Sequence, residues 1–386
     1  MRRVFLAVAA TMFVDALLYL AIVPLLPWYA ERFDLSKVEA AVLLAGYPLA
    51  FLITVTPAGW LAGRVGPRRV VMVGTSMFLL SSLLFAWAPS GEILILARLL
   101  QGIGGGIGWA AVMAWLTGNT PPAGRSRAVG TISGVLSAGA VAGPALGALA
   151  DATSFAVAFA IAGALGLIAL VLTIAAPAGA DLPRDPPLHS TVGRLVRHPL
   201  VLCSLCFALA DAAGVAAVDL LAPLALGERG VSSATIGIAI GAGAVLGIIG
   251  GWLAGRVGER VGSFRVALVG GVGLGLMPLI LVFPLPSWAI LGVLVAIGPF
   301  FPILMTGMFP LITLAADDLG LSHGTGSALA NMVWSGGFAL TPLAIAPIAQ
   351  AIGDPVAYAL AAAAVALFLG AAVVFRQQAK ARGLAH

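Results

Sequence analysis

The chain alternates between long apolar runs and short polar turns. Twelve of the apolar runs are long enough to cross a bilayer as a helix, which takes about 20 residues. Because a helix satisfies its own backbone polar groups, the pattern predicts an all-α polytopic membrane protein. The predicted spans are residues 4–26, 38–62, 70–88, 93–117, 128–150, 155–176, 200–225, 234–254, 266–283, 288–315, 324–350 and 355–375.

One octapeptide, Gly-Trp-Leu-Ala-Gly-Arg-Val-Gly, occurs at Gly59–Gly66 and again at Gly251–Gly258. Its recurrence indicates that the second half of the chain repeats the first, and each copy is predicted to end an apolar segment at an Arg-Gly turn. Six spans lie on either side of one long, proline-rich polar segment. We therefore predict two pseudo-symmetric six-helix bundles, 1–176 and 200–386, joined by a cytoplasmic linker, 177–199.

The composition agrees with a membrane protein. Hydrophobic residues make up 61% of the chain and charged residues 9%, and the mean hydropathy is +1.10, outside the range of a soluble domain. With the N-terminus inside, sixteen of the twenty Lys and Arg residues fall on the cytoplasmic side, as the positive-inside rule expects. Both termini are thus predicted to be cytoplasmic, in the cell (inner) membrane. The net charge of +5 follows from this asymmetry and does not indicate nucleic-acid binding.

Several kinds of chemistry are disfavoured. Cys203 and Cys206 lie inside an apolar span. We interpret them as small buried residues and not as a redox or metal site. The four histidines lie in loops or at the terminus, so no metal and no cofactor are expected. The glycine run 102–108 lacks the dinucleotide-binding spacing, and no phosphate-binding loop occurs. An enzyme is the least favoured class, since no nucleophile, base and orienting group converge.

Charged residues inside the spans are the main functional signal, because each costs about 2.5 to 3.5 kcal/mol at a helix centre. Four lie deep: Asp15, Arg98, Asp211 and Asp219. Asp15 has Tyr19 one turn later, and the repeat relates Asp15 to Asp211. A buried carboxyl can take up a proton, while a nearby cation favours its ionised form, so these four are candidates for proton coupling. The alternative is that each acid pairs with Arg98 or a helix backbone.

The loop after the second span resembles the loop signature of the major facilitator superfamily, and the resemblance covers essentially the whole chain. It is carried by Gly59, Gly63, Arg64, Gly66, Arg68 and Arg69, with an echo at Gly255 and Arg256. The signature's acid is replaced by glycine at 63 and 255, so the gate implied by the resemblance must be held differently. Asp317 and Asp318 could supply acids at a helix N-terminus. Tight turns with positive-inside anchoring are the alternative reading of the loop.

Two further motifs resemble the twelve-helix drug:proton antiporters of this superfamily. Arg98-Leu-Leu-Gln101-Gly102 is similar to R-x-x-Q-G, which implies a role in proton coupling; bracing through backbone carbonyls is the alternative. The antiporter signature G-x-x-x-G-P-x-x-G is matched by Gly139, Gly143, Pro144 and Gly147. Small residues at this spacing let a neighbouring helix approach closely, and close packing alone would also satisfy it.

The first span narrows the resemblance to vesicular-monoamine-transporter-like and bacterial multidrug efflux proteins, because Pro24 and Pro27 follow Asp15. Where those relatives tend to carry an acid in the eleventh helix, this chain has Asn331. The resemblance implies a substrate cavity whose candidate lining residues are Asp15, Tyr19, Trp109, Asn331, Trp334 and Phe338, with aromatic faces suited to a lipophilic cation. For Trp109 and Trp334, ordinary helix packing is the alternative.

Together these features predict a secondary active transporter of the multidrug efflux type. It would act as a monomer and exchange protons for small amphipathic or cationic organic compounds by alternating access. A proton-coupled symporter or facilitator for a sugar or organic acid is the alternative transport reading. A non-transporting membrane sensor or scaffold on the same fold is the alternative from another class.

Overall fold

The computed structural model describes residues 2–121, 124–178, 188–321 and 323–384. Within these residues there are fourteen α-helices and no strand, which confirms the predicted fold class. The helices are α1 Arg2–Arg32, α2 Lys37–Val65, α3 Pro67–Ala86, α4 Gly91–Gly118, α5 Arg125–Ala152, α6 Phe155–Ala175, α7 Leu188–Leu195, α8 Pro199–Gly227, α9 Ser233–Val261, α10 Ser263–Leu281, α11 Ser287–Ile297, α12 Phe300–Asp318, α13 His323–Ala351 and α14 Asp354–Ala381.

Twelve helical stretches of the described chain are long and apolar enough to cross a membrane, as the hydrophobic pattern predicts. The short helix α7 lies within the segment predicted as a linker, so that segment is not wholly irregular. The linker prolines Pro183, Pro186 and Pro187, together with Arg184, lie outside the described residues.

The tenth predicted span, 288–315, is confirmed as one crossing stretch, Ser287–Asp318, but its helix is not continuous. It consists of α11 and α12, which are interrupted at Gly298 and Pro299. Proline lacks an N–H donor and clashes with the preceding turn, so it ends the first helix. Gly298 also lies against α9, where a Cβ at this position would overlap the backbone of Gly243. The break therefore lets α9 approach the interrupted span closely.

By its internal contacts the chain divides into two compact units. Unit 1 comprises Met1–Arg184 with Gly230–Gly241, and unit 2 comprises Asp185–Arg229 with Ala242–His386. In unit 1, α4 packs on α2 and α3 while α5 packs along α1. In unit 2, α8 is the central helix, surrounded by α14, α13, α12 and α10, and most of its residues are buried.

Small residues govern the packing of unit 1. A Cβ at Gly106 would lie 2.8 Å from the Phe51 carbonyl oxygen of α2, and one at Gly74 would lie 2.9 Å from the Gly104 carbonyl oxygen. The glycine run of α4 thus serves close helix approach from two sides, as small residues do in membrane bundles.

Candidate functional site

Asp15 lies at the centre of a polar group buried in unit 1. Its side chain is 4% exposed, and its Oδ1 accepts a hydrogen bond from the hydroxyl of Tyr47 on α2 at 2.8 Å. Gly105 on α4 makes room for that hydroxyl, since a Cβ there would overlap it. Three helices therefore fix the environment of one carboxylate.

Arg98 of α4 is fully buried and is held by neutral acceptors. Its Nη1 donates to Gln101 Oε1 at 2.8 Å, and both Nη1 and Nη2 donate to the Tyr19 carbonyl oxygen at 3.3 Å. The guanidinium carbon lies 5.1 Å from the ring centre of Tyr47 and 5.3 Å from that of Tyr19, within cation–π range. Among the described residues no ion pair joins Arg98 to Asp15, and Tyr47 links the two instead.

The glycines of α5 lie against the turns of α1 on either side of Asp15. A Cβ at Gly139 would be 2.5 Å from the Phe13 carbonyl oxygen, and one at Gly143 would be 2.6 Å from that of Leu17. Gly147 continues the stripe toward Pro24. Any larger side chain would push α1 and its acid away from α5, so the stripe ties the position of Asp15 to that of α5.

In unit 2 the related acid has a simpler environment. Asp211 of α8 is fully buried, and its Oδ2 accepts a hydrogen bond from Trp334 Nε1 at 2.8 Å. Its Oδ1 has no hydrogen-bond partner in the part of the chain that the structure describes. The Trp334 ring packs on Phe338, with centres 4.4 Å apart. A Cβ at Gly337 would lie 2.6 Å from Ala212 Cβ, so α13 approaches α8 closely here.

The structure thus gathers Asp15, Tyr19 and Arg98 in unit 1, and Asp211, Trp334 and Phe338 in unit 2. Asp219 lies two turns beyond Asp211 on α8 and interacts with it electrostatically, whereas Asn331 and Trp109 are not gathered. Asp219 and Asn331 are half-buried, and the described residues give neither side chain a hydrogen bond. Trp109 packs at the edge of the apolar cluster containing Met12 and Trp115. It lies three turns from Arg98, about 16 Å along the helix axis.

In both copies of the octapeptide the arginine stacks on a tryptophan one turn earlier. The Arg64 guanidinium carbon lies 3.8 Å from the Trp60 ring centre, and that of Arg256 lies 3.7 Å from the Trp252 ring centre. A Cβ at position 63 or 255 would meet nothing within 4 Å. Packing therefore does not require glycine where the superfamily signature has its acid.

The other basic residues of the first loop differ in role. Arg68 Nε donates to the Thr173 carbonyl oxygen at 3.2 Å, and Nη2 donates to that of Ile174, so Arg68 caps the C-terminus of α6. Arg69 is exposed at the end of an apolar groove of about 350 Å³ between α2 and α3. Gly66 has a φ of +88°, at the turn that separates α2 from α3.

Two predictions for the second half are wrong. Gly258 does not form a turn, because α9 continues to Val261 and the chain turns at Gly262, whose φ is +88°. Asp317 and Asp318 lie in the last turn of α12 and not at a helix N-terminus. Asp318 Oδ2 lies 3.5 Å from His198 Nε2. Burial lowers the pKa of His198 below its usual value, while the charge of Asp318 opposes that shift.

The residue missed at the sequence level is Tyr47, which is the only hydrogen-bond donor to Asp15 among the described residues. Two signals pointed to it. It is one of only four tyrosines in the chain and stands inside an otherwise apolar span. Glycines Gly102 and Gly105 also occur in α4, where each clears space for Tyr47. Gln101 belongs to the Arg98 motif, but the sequence assigns it no role. In the structure its Oε1 accepts a hydrogen bond from Arg98 Nη1.

Twelve helical stretches long and apolar enough to cross a membrane, with charged residues buried among them, define a polytopic membrane protein. The model of the Major Facilitator Superfamily matches residues 5–342. The chain therefore belongs to this superfamily of membrane transporters, whose members carry small-molecule substrates.

Individual relatives are distant. The chain is 31% identical over 137 residues to the MFS-type transporter ppzB of Metarhizium rileyi, covering 34% of this chain and 28% of the relative. It is 25% identical over 184 residues to the quinolone resistance protein NorA of Staphylococcus aureus, covering 48% of this chain and 46% of the relative. Each match thus spans less than half of the relative's length.

Proposed function

We propose that the chain is a proton-coupled antiporter that exports small amphipathic or cationic organic compounds. The observation that carries this proposal is the environment of Asp15. Its carboxylate is buried, accepts one hydrogen bond from Tyr47, and is linked through that ring to Arg98. Within the described residues the two charged groups form no direct ion pair. A carboxylate whose charge is only partly balanced can be completed by a proton or by a cationic substrate.

In the proposed cycle a proton and the substrate compete for Asp15. Protonation from the outside would release the substrate there, and loss of the proton inside would restore the anion. Asp211 would supply a second protonatable group in the other half, with Asp219 as an alternative. The glycine stripe of α5 supports the antiport mode, because it packs on the turns of α1 that flank Asp15. One relative is named as a quinolone resistance protein, which supports a drug-like substrate for this chain. The protein would act as a monomer in the inner membrane with both termini cytoplasmic.

The test reconstitutes the full chain in liposomes with a pH-sensitive dye inside. Adding tetraphenylphosphonium as a lipophilic cation should drive proton movement in wild type and not in Asp15→Asn. Asp34→Asn is the matched control, since Asp34 is an exposed loop residue with a φ of 51°, which asparagine also tolerates. If Asp15→Asn keeps both substrate-driven proton movement and export, the coupling assignment is wrong.

Reversing the imposed pH gradient separates the transport alternatives. An antiporter moves substrate against the direction of proton flow, and a symporter moves it along that direction. A sensor or scaffold would give no counterflow of any tested compound. A screen of cationic, neutral and anionic compounds for thermal stabilisation at two pH values tests the substrate class, and stabilisation by anions alone would contradict the cation proposal.

A further inference from the structure

A basic pocket of about 570 Å³ opens at one end of unit 1, and the proposed transport cycle does not use it. Arg2 and Arg3 of α1 and Arg68 at the start of α3 line it, together with residues 174–177 at the end of α6. No acid is among these lining residues. The pocket therefore offers three cationic side chains from two segments that are distant in sequence.

The local backbone shapes the charge of this pocket. Arg2 and Arg3 lie in the first described turn of α1. The carbonyl end of α6 would oppose an anion, but Arg68 covers it by donating to Thr173 and Ile174. Arg2 and Arg3 are exposed and remain available to a ligand.

Apolar surface continues from the pocket along two helices. On α6, Val171 is 55% and Ile174 is 48% exposed, and these residues lie one turn apart. On α1, Leu6 is 44% exposed and lies one turn beyond Arg2 and Arg3. The combination of a cationic pocket and adjoining exposed apolar side chains matches a phosphate headgroup followed by acyl chains.

We propose that this pocket binds the headgroup of an anionic phospholipid. The phosphate lies among Arg2, Arg3 and Arg68, where guanidinium groups make charge-assisted hydrogen bonds. The acyl chains lie along Val171, Ile174 and Leu6. Bound lipid then links the start of α1, which carries Asp15, to α3 and α6.

The test compares lipid retention by native mass spectrometry of the full chain purified in detergent with phosphatidylglycerol or phosphatidylcholine. Wild type should retain phosphatidylglycerol preferentially. The double variant R2Q/R3Q should retain about thirtyfold less, since each of the two arginines near a membrane surface contributes on the order of 1 kcal/mol to anionic-lipid binding, and about 1.4 kcal/mol corresponds to tenfold in affinity. The matched control R260Q/R265Q removes two exposed arginines from unit 2 and should behave as wild type. Equal retention by R2Q/R3Q and wild type would overturn the proposal.

Two measurements on wild type make the test independent of how the variant folds. Photoactivatable phosphatidylglycerol should label peptides that contain residues 2–6 or 171–177, and labelling confined to other peptides would overturn the proposal. Thermal stabilisation should come from phosphatidylglycerol and not from inorganic phosphate or glycerol 3-phosphate. Equal stabilisation by the soluble phosphates would instead identify a soluble anion as the ligand and overturn the lipid assignment.

Discussion

The two copies of the octapeptide have the same sequence but end differently. In the first half, α2 stops at Val65 and the chain turns at Gly66, directly before Pro67. In the second half, the corresponding Gly258 lies inside α9, and the turn comes four residues later at Gly262. A residue before proline disfavours the helical conformation, whereas Glu259 and Arg260 are good helix formers. The eight shared residues thus determine the Trp–Arg stacking, while the residues that follow determine the helix end.

The buried acids of the two halves also occupy similar positions but have different partners. Asp15 has a tyrosine donor and an arginine linked to it through that donor. Asp211 has a tryptophan donor and an oxygen with no partner, and within the described chain no Lys or Arg forms an ion pair with it. Each half therefore has a buried acid with an aromatic donor, but among the described residues a buried arginine lies beside the acid of the first half alone.

The largest expected effect comes from removing that cation. Arg98→Leu should destabilise the protein by about 3 to 5 kcal/mol, because it leaves the buried Gln101 and Tyr19 acceptors without their donor and removes the cation nearest to the buried Asp15. The double variant D15N/R98L should lose clearly less than the sum of the two single variants, since neither charge then remains. Thermal unfolding of the purified protein measures all three. Additive losses would mean that Asp15 and Arg98 are not coupled.

The second-largest effect is expected from removing the aromatic side chains that donate a hydrogen bond to each buried acid. Tyr47→Phe and Trp334→Phe each remove one hydrogen bond to a buried carboxylate and keep an aromatic ring. A bond of this kind to a charged group contributes about 1.5 to 3 kcal/mol. Both variants should lower thermal stability, and Y47F should also weaken proton coupling in liposomes, because Tyr47 links Asp15 to Arg98. Unchanged coupling in Y47F would show that the link through Tyr47 has no role in transport.

The two helix ends allow a matched test with one substitution. Gly66→Ala should destabilise by roughly 1 to 3 kcal/mol, because a φ of +88° is strained for any residue with a Cβ. Gly258→Ala alters the equivalent residue of the second copy, within a helix, where alanine should be neutral or stabilising by about 0.5 to 1 kcal/mol. Gly262→Ala should behave like G66A. Similar melting temperatures for G66A and G258A would contradict the different turn positions.

The fold was largely predictable because bilayer thickness sets the length of each apolar run, and sequence displays that length directly. Charges inside such runs are equally conspicuous, so Asp15, Arg98 and Asp211 could be identified. Their pairings could not be predicted, since Tyr47 and Trp334 meet the acids only through interhelical packing: Tyr47 was missed, and Trp334 was named as a cavity residue without its bond to Asp211. The helix break at Gly298 and the turn at Gly262 were not predicted for a different reason. Each depends on a few residues within an otherwise continuous apolar or repeated pattern.

The smallest expected effect concerns the feature that both halves share. Trp60→Leu and Trp252→Leu each remove the aromatic face under one arginine while keeping an apolar side chain. Both tryptophans are more than half exposed, and an exposed cation–π contact contributes about 0.5 to 1 kcal/mol. The two variants should lower thermal stability by similar small amounts, because the stacking distances of 3.8 and 3.7 Å are nearly equal. A loss in transport rate for W60L but not for W252L would show that the two Trp–Arg pairs are not functionally equivalent. It would place gating in the first loop, where the helix ends directly after the stacked pair.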